Sequence, residues 1–199
     1  MRDRWLICLL IAGHANAGGL LFAGAGARSG GWAEIQESGN IVLSRQNAQN
    51  VSLASASSAD LQLDLPLSPD SAYHLWAAQS RHSLLPFNAG QLRIRYAQLG
   101  GINHYPAPGN GLRPFLAGAI GVSDIQASQF ESRLYPSGSL AGGLDIPLSP
   151  LLTVRLETRV TAIAVTSEYV IQCGGGCSAQ INSGTWSQWS AAALLGLRF

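Results

Sequence analysis

The last eleven residues, Trp189-Ser-Ala-Ala-Ala-Leu-Leu-Gly-Leu-Arg-Phe199, decide the fold of this chain. Most of the large apolar residues occupy one parity, and the other parity holds mostly small or polar residues. The first set is Trp189, Ala191, Ala193, Leu195, Leu197 and Phe199; the second includes Ser190, Ala192, Gly196 and Arg198. A period of two is the signature of a β-strand whose two faces meet different surroundings. The sequence therefore predicts a strand from Thr185 to Phe199.

Three earlier segments, Val51–Leu65, Gln91–Gln98 and Leu152–Val160, repeat this period and place charge on one parity. Apolar residues fill the other parity, including Leu92, Ile94 and Tyr96 in the second segment. The polar parity of the three segments carries Asp60, Asp64, Arg93, Arg95, Arg155, Glu157 and Arg159. Such strands have one apolar face and one charged face. In a membrane barrel the apolar face meets lipid and the polar face lines the lumen.

Length and turn residues give four more strands and bring the count to eight. They are Gly19–Arg28, Ser71–Arg81, Arg113–Asp124 and Tyr135–Ile146. Several reach the roughly 9 to 11 residues that a tilted strand needs to cross a bilayer, against about 5 to 6 in ordinary globular proteins.

The connections between these strands alternate in character. Pro66–Asp70 and Pro147–Pro150 are tight, proline-stiffened turns of nearly the same sequence. Longer polar or glycine-rich segments alternate with these turns along the chain, at 29–50, 82–90, 125–134 and 166–184. Asn103–Gly111 falls in the position of a short turn but is longer than the other two. Short periplasmic turns and long extracellular loops alternate in outer-membrane barrels. The predicted fold is an all-β, eight-stranded antiparallel up-and-down transmembrane β-barrel.

The composition agrees with an apolar environment. The 199 residues are 47% hydrophobic and only 12% charged. No segment reaches the roughly 18 uninterrupted apolar residues that a membrane-spanning helix needs. The net charge of +1 arises without a basic cluster, so we expect no nucleic-acid partner. No motif indicates a cofactor or a metal ion.

The N-terminus carries the features of an export signal. Arg2 and Arg4 precede the apolar run Trp5–Ala12, and the small-residue site Ala15-Asn-Ala17 follows. We predict a signal peptide over residues 1–17 and a barrel domain over 18–199. Cleavage after Ala25 is the alternative, although it would remove most of the first strand.

Export also bears on the cysteines. Cys8 lies in the signal, which leaves Cys173 and Cys177 in the sequence Cys-Gly-Gly-Gly-Cys. An oxidising compartment favours a disulfide between them. A metal or redox pair is the rival interpretation.

The strand closing on Phe199, the Gly-Leu-Arg-Pro-Phe segment that starts at Gly111, and the Cys-Gly-Gly-Gly-Cys loop together resemble the outer-membrane β-barrel domain family of the OmpA and OmpX type. The resemblance covers essentially the whole mature chain. It implies the outer membrane of a Gram-negative bacterium, outer-membrane lipid as surroundings, and recognition of Phe199 by the barrel-assembly machinery. The cysteine loop implies a particular subfamily. The resemblance does not fix an activity.

A barrel of eight strands has a lumen only wide enough for side chains. We therefore expect the charged set to form an ion-pair network that fills the lumen, with His74 and Trp76 beside it. A narrow pore for small solutes is the alternative. Tyr73, Tyr96, Trp186 and Trp189 are expected at strand ends or facing outward, as an aromatic belt.

Catalysis by His74, His82 or His104 in a lipid-modifying barrel is a further alternative. No recognisable motif or acidic partner supports it, so we expect no enzyme. The function we predict is a structural or surface-binding role through the extracellular loops. A secreted soluble barrel that binds an apolar ligand would need the two faces to be inverted, and it remains the last alternative.

Overall fold

The computed structural model describes residues 18–30, 35–36, 54–83, 91–106, 111–127, 132–165, 169–172, 178–181 and 184–199. These residues form eleven strands. They are β1 Leu20–Arg28, β2 Ile35–Gln36, β3 Ala56–Pro66, β4 Ser71–Ser83, β5 Gln91–His104, β6 Arg113–Ala127, β7 Arg133–Pro147, β8 Leu152–Val165, β9 Tyr169–Gln172, β10 Ser178–Ile181 and β11 Gly184–Arg198.

Eight of the strands close into one antiparallel barrel in the order β1-β11-β8-β7-β6-β5-β4-β3. The first and last barrel strands seal the sheet, because β1 pairs with β11 on one side and with β3 on the other. The remaining strands form a small sheet in the order β2-β10-β9. The predicted fold class is confirmed. No helix in the described ranges is long and apolar enough to cross a membrane.

The two ends of the barrel differ, as the spacing of the turns predicts. We call the end with the turns 67–70 and 148–151 the turn end, and the opposite end the loop end. The two proline-flanked turns fold alike: the N–H groups of Leu67 and Leu148 donate to the carbonyls of Ser71 and Leu152, each at 2.9 Å. In each turn a serine hydroxyl, of Ser68 or Ser149, also accepts a backbone N–H at 3.1 Å. The two turns have nearly the same sequence and the same hydrogen bonds.

Several strands are longer than predicted, and β5 differs most. Its predicted end at Gln98 is wrong, because the strand continues through Gly100 and Gly101 to His104. A Cβ on Gly100 would lie 1.8 Å from the carbonyl oxygen of Gly118 on β6. The glycine here permits close approach of two strands and does not interrupt the ladder.

The other bounds also shift. At the loop end β4, β6, β7 and β8 run past their predicted limits, because the residues beyond those limits still pair with the neighbouring strands. The segment predicted as Val51–Leu65 begins its pairing only at Ala56, and residues 51–53 lie outside the described part of the chain. The predicted signal peptide and both loop cysteines also lie outside it.

The outer wall of the barrel is apolar around its whole circumference. Each of the eight barrel strands presents at least one large apolar side chain that is exposed, with Ile120 at 76% and Leu140 at 73%. One example from each strand is Leu21, Leu61, Leu75, Leu99, Ile120, Leu140, Leu156 and Leu195. A continuous exposed apolar surface of this kind is the surface that a transmembrane barrel presents to lipid.

The interior is filled by side chains in layers. An apolar cluster toward the loop end contains Trp76, Leu92, Ile94, Tyr96, Ile163 and Trp186, and a smaller one toward the turn end contains Ile102, Phe115, Ala117 and Ala141. Between and around them lie the buried charged side chains. Trp76 is 1% exposed, which confirms its predicted inward position. Tyr96 and Trp186 were expected to face outward or lie in an aromatic belt, and that was wrong, because both are buried in the first cluster.

The parity of β5 is the reverse of the prediction. Leu92, Ile94 and Tyr96 point into the barrel, and Arg93 and Arg95 lie on the outer wall. The physical reason is position along the barrel axis. Toward the loop end the lumen is closed by apolar side chains, so the apolar face of β5 turns inward there and the charged face turns outward.

Candidate functional site

Arg155 lies at the centre of the interior network, fully buried on β8. Its Nε and Nη2 atoms donate to the two carboxylate oxygens of Asp145 at 2.7 and 2.8 Å. Nη2 also donates to Asp64 at 2.8 Å, and Nη1 to the side-chain oxygen of Gln62 at 2.8 Å. The guanidinium carbon lies 3.8 Å from the ring centroid of Phe22. One arginine thus ties β3, β7 and β8 together through charge-assisted hydrogen bonds.

Arg159 lies four residues beyond Arg155 on β8, on the same inward face, and continues the network. It donates to Glu157 at 2.8 Å, to Ser139 at 2.8 Å and to Nε2 of His74 at 3.1 Å. A guanidinium can only donate, so Nε2 of His74 accepts and its Nδ1–H donates to Asp64, at 2.6 Å. Both ring nitrogens of this histidine are therefore occupied.

Gln62 joins the two arginine groups. Its side-chain oxygen accepts from Arg155 at 2.8 Å, and its Nε2 donates to Glu157 at 3.0 Å. Gln62 and Glu157 are 95 residues apart in sequence. The network consequently spans the barrel from β3 to β8, on opposite sides of β1 and β11.

A third buried arginine, Arg28, is held differently. Its Nη2 lies 3.8 Å from Asp60, and its guanidinium carbon lies 4.5 Å from the Tyr96 ring centroid and 5.3 Å from that of Trp76. None of its side-chain nitrogens has a hydrogen-bond partner within the described residues. Asp60 is bound instead by Ser58 at 2.7 Å and by the Trp76 indole at 3.0 Å. Ring faces and one carboxylate supply the attraction that stabilises this cation.

The two remaining histidines of the barrel are buried, although the sequence places His82 in the predicted loop 82–90 and His104 in the predicted turn 103–111. His82 lies within β4, with Nδ1 2.9 Å from the Ala54 carbonyl and Nε2 3.0 Å from the Ser80 hydroxyl. His104 ends β5 and lies 2.9 Å from Asp145. The loop positions were wrong because β4 and β5 continue beyond their predicted ends.

Of the seven charged residues expected in the lumen, the structure brings five into the buried interior: Asp60, Asp64, Arg155, Glu157 and Arg159. Arg93 and Arg95 are not among them. Sequence reasoning missed Arg28 and Asp145. It placed Gln62 on the polar parity of its strand and weighed His104 only as a catalytic candidate, without assigning either residue to the network. Asp145 could have been found, because it shares the parity of the buried Tyr135 and Ala141 on β7. Arg28 likewise shares the parity of the buried Phe22 on β1.

The arrangement places hydrogen-bonded charged and polar side chains across the interior of the closed barrel. Isolated buried charges are costly, but here the carboxylates of Asp64, Asp145 and Glu157 each meet at least one arginine within 2.8 Å. Arg155–Asp64 joins strands 91 residues apart in sequence, Arg155–Asp145 joins the consecutive strands β7 and β8, and Arg159–Glu157 lies within β8. The chemistry is therefore that of cross-links across a closed sheet.

The similarity of this chain to known proteins lies in its fold. No protein-family model matches the sequence, and no curated protein sequence matches it significantly. Solved structures do match. The Neisserial surface protein NspA superposes with a TM-score of 0.63 at 8% identity, covering 92% of this chain and 98% of that protein.

Two further structures agree with it. The outer membrane protein OprG from Pseudomonas aeruginosa gives a TM-score of 0.59 at 12% identity, over 92% of this chain and 96% of OprG. AlkL, an outer membrane protein determined in lipid bilayers, gives 0.53 at 13% identity, over 100% and 97%. At such low identity the likeness establishes the fold. This chain has the fold of the small outer-membrane β-barrels, with a side-chain-filled interior.

Proposed function

We propose that this protein is an integral outer-membrane barrel that acts through its loop end, as a structural or surface-binding component of the cell envelope. The observation that carries the proposal is the inside-out distribution of side chains. All eight barrel strands expose large apolar residues outward, whereas Asp64, Arg155 and Arg159 are buried. A soluble barrel would need the opposite arrangement, so the same observation disfavours the secreted, ligand-carrying alternative.

The turn end then faces the periplasm and the loop end the cell exterior, as in barrels of this kind. Phe199 lies at the turn end, 68% exposed, and its N–H donates to the Gly19 carbonyl at 3.0 Å. An accessible terminal aromatic suits the proposed recognition by the barrel-assembly machinery. We retain the signal peptide and the Cys173–Cys177 disulfide as predictions, together with the subfamily that the cysteine loop implies.

We further propose that the barrel does not conduct. Apolar clusters occupy both halves of the interior, and the arginine network fills the space between them. A pore would need a continuous wet path, which these layers oppose. The buried charged residues, which are the feature that suggested a narrow pore, are explained better by an interior filled with paired side chains.

We propose no catalytic role. Asp64–His74 is the shorter of two carboxylate–imidazole contacts among the described residues, the other being Asp145–His104, but His74 is 0% exposed and both its ring nitrogens are bonded. A general base must reach the proton it removes. A histidine enclosed in this way serves to hold Arg159 and Asp64 in place.

The membrane location is tested by fractionating cells that express the full-length protein and comparing gel mobility in SDS with and without boiling. A closed barrel resists SDS until it is heated, so we expect two bands of different mobility in the outer-membrane fraction. A single unshifted band in the soluble periplasm would overturn the proposal.

Conduction is tested separately in planar bilayers. We expect no conductance steps from the purified barrel, whereas a general porin reconstituted in the same way conducts. Reproducible steps that scale with the amount of the barrel protein would restore the pore alternative.

A further inference from the structure

The outer wall of the barrel carries charge on one side only. Within the described residues, the outward-facing positions of the barrel strands hold four charged side chains: Arg81, Arg93, Arg95 and Asp124. All four lie on the adjacent strands β4, β5 and β6, toward the loop end. The outward positions at the same end of the other strands are uncharged, including Ala27, Ser57, Leu134 and Ser187.

These side chains form two rows that cross the three strands. In the row nearer the turn end, Gln79 pairs with Arg95 and Arg95 with Asp124. Arg95 lies 3.6 Å from Asp124, and its Nε donates to the Gln79 side chain at 3.3 Å. This row is neutral in sum and has internal partners.

The second row, one step nearer the loop end, is different. Arg81 lies directly opposite Arg93, and Arg93 lies opposite Gln126. No carboxylate of the described residues forms an ion pair with either arginine. Like charges that face each other across two strands are destabilising. Within the described residues the row therefore holds net positive charge, which an anion would neutralise.

A concave surface coincides with this row. Arg81, Arg93 and Gln126, together with Gln91, line a cleft of about 210 Å³. The planar guanidinium groups are suited to bidentate hydrogen bonds with phosphate oxygens, and the glutamine amide adds a neutral donor. The positive charge, the guanidinium and amide donors and the concave shape of the cleft together suit a phosphate group.

The height of the cleft on the barrel identifies the source of the phosphate. On β6 the outward positions from Pro114 to Val122 are uncharged, and Asp124 is the next outward residue. Eight residue steps span about 27 Å along a strand, or about 21 Å along the axis at a tilt of about 40°. This is close to the apolar band of about 25 Å typical of such barrels. The arginine row begins where the lipid headgroups begin.

We propose that Arg81 and Arg93, with Gln126, bind the phosphate group of a lipid headgroup in the membrane leaflet at the loop end. The inference rests on the proposed membrane location. The lipid is defined by its chemistry, an anionic phosphate ester carried on a bilayer lipid. Arg95 and Asp124 mark the lower edge of the site and separate it from the acyl chains.

The test uses the purified full barrel in non-ionic detergent and measures retained lipid by native mass spectrometry. The probe is diphosphoryl lipid A, with the same lipid stripped of its phosphates as reference. We expect the wild type to retain the phosphorylated probe and the double variant Arg81→Gln, Arg93→Gln to bind it at least roughly tenfold more weakly. High salt, near about 1 M, should weaken binding by the wild type because the site is exposed.

The matched control removes two positive charges from the opposite end, Arg113→Gln with Arg198→Gln. We expect it to bind the probe within about twofold of the wild type, because its charges lie at the turn end. Equal binding by the wild type and the Arg81/Arg93 variant would overturn the site. Equal loss in both double variants would overturn it too, since binding would then reflect net charge.

Two further arms separate the possible sources and failures. Inorganic phosphate alone, added as a competitor at millimolar concentration, should not displace the lipid; full displacement would overturn a lipid as the ligand. Gel mobility with and without boiling is run on every variant. A variant that keeps the heat-dependent shift but loses the lipid supports the site, whereas a wild type that lacks the shift contradicts the membrane location instead.

Discussion

Arg155 shows how one residue can stabilise a closed sheet. Its guanidinium bonds Asp64 on β3, Asp145 on β7 and Gln62 on β3, although Asp64 lies 91 residues away in sequence. The partners are buried with it, so each loses access to water. Such a group is stable only when all of its hydrogen-bonding and charged partners are present, because each missing partner leaves an unpaired charge in a low-dielectric interior.

We expect Arg155→Leu to lower the free energy of unfolding by about 3–5 kcal/mol, because it leaves two buried carboxylates without their cation. The measurement is urea unfolding of the barrel in lipid vesicles. Arg113→Leu serves as the control. Arg113 is a partly exposed turn-end arginine whose ion pair with Asp70 spans 4.0 Å, and we expect a loss below about 1 kcal/mol.

A second substitution distinguishes loss of charge pairing from loss of packing. Adding Asp145→Asn to Arg155→Leu should recover part of the lost stability, because it removes one of the two stranded charges. If the double variant were as unstable as the sum of the single ones, the pairing of Arg155 with Asp145 would not be the source of the effect.

At the scale of the element, β5 shows that alternation alone does not say which face is inside. Its charged face is directed outward near the loop end, where Arg95 meets Asp124, and its polar Gln98 and His104 are directed inward further down. β8 has the same alternation of arginine and apolar residues with the opposite orientation. Position along the barrel axis decides between the two, because the interior beside Leu92, Ile94 and Tyr96 is an apolar cluster, whereas Arg155 and Arg159 of β8 lie at the level of the buried carboxylates.

Two glycines on neighbouring strands should respond oppositely to alanine. A Cβ at Gly100 would lie 1.8 Å from a backbone oxygen, whereas a Cβ at Gly118 would meet the Leu140 side chain at an ordinary 3.5 Å. We expect Gly100→Ala to cost about 1–3 kcal/mol through backbone displacement. Gly118→Ala should be neutral or stabilise by up to about 1 kcal/mol, because it restricts the unfolded chain.

Unfolding in vesicles measures both glycine variants under the same conditions. Equal stabilities for Gly100→Ala and Gly118→Ala would mean that β5 and β6 separate easily at this point. That result would contradict close strand approach as the role of Gly100.

At the scale of the whole molecule, the barrel is closed by its first and last strands. The register of β1 on β11 pairs Leu20 with Arg198 and Arg28 with Ser190, and the backbone of Phe199 adds a hydrogen bond to Gly19. Closure removes every free edge, which a sheet in lipid requires because lipid offers no partners to the backbone. The aromatic ring of Phe199 is not needed for that hydrogen bond.

Phe199→Ala should therefore separate assembly from stability. We expect the fraction of protein that reaches the membrane and shows the heat-dependent shift to fall severalfold, because the terminal aromatic is lost. Once folded, the variant should unfold within about 1.5 kcal/mol of the wild type, since the ring is largely exposed. Phe199→Tyr, which keeps the ring, is the control and should assemble normally.

The reverse result would also be informative. Normal assembly together with a large loss of stability would show that Phe199 acts as a packing residue against Gly19. The proposed recognition by the assembly machinery would then be wrong.

The sequence alone determined the number of barrel strands, the alternation of turns and loops, and the apolar outer face of β3, β8 and β11. These features are local: a period of two, proline-flanked turns and segment length are all read within about 15 residues. It also identified Asp64, Arg155 and Arg159 as members of one polar face. Local patterns reach no further than a single strand.

Only the tertiary structure decided the orientation of β5, the partners of the buried arginines and the position of Arg81 opposite Arg93. Each depends on register between strands, which brings together residues as distant as Gln62 and Glu157. The register follows from closing all eight strands at once, because shifting one strand by a residue would exchange its two faces. The lumen and the outer wall are therefore properties of the closed barrel.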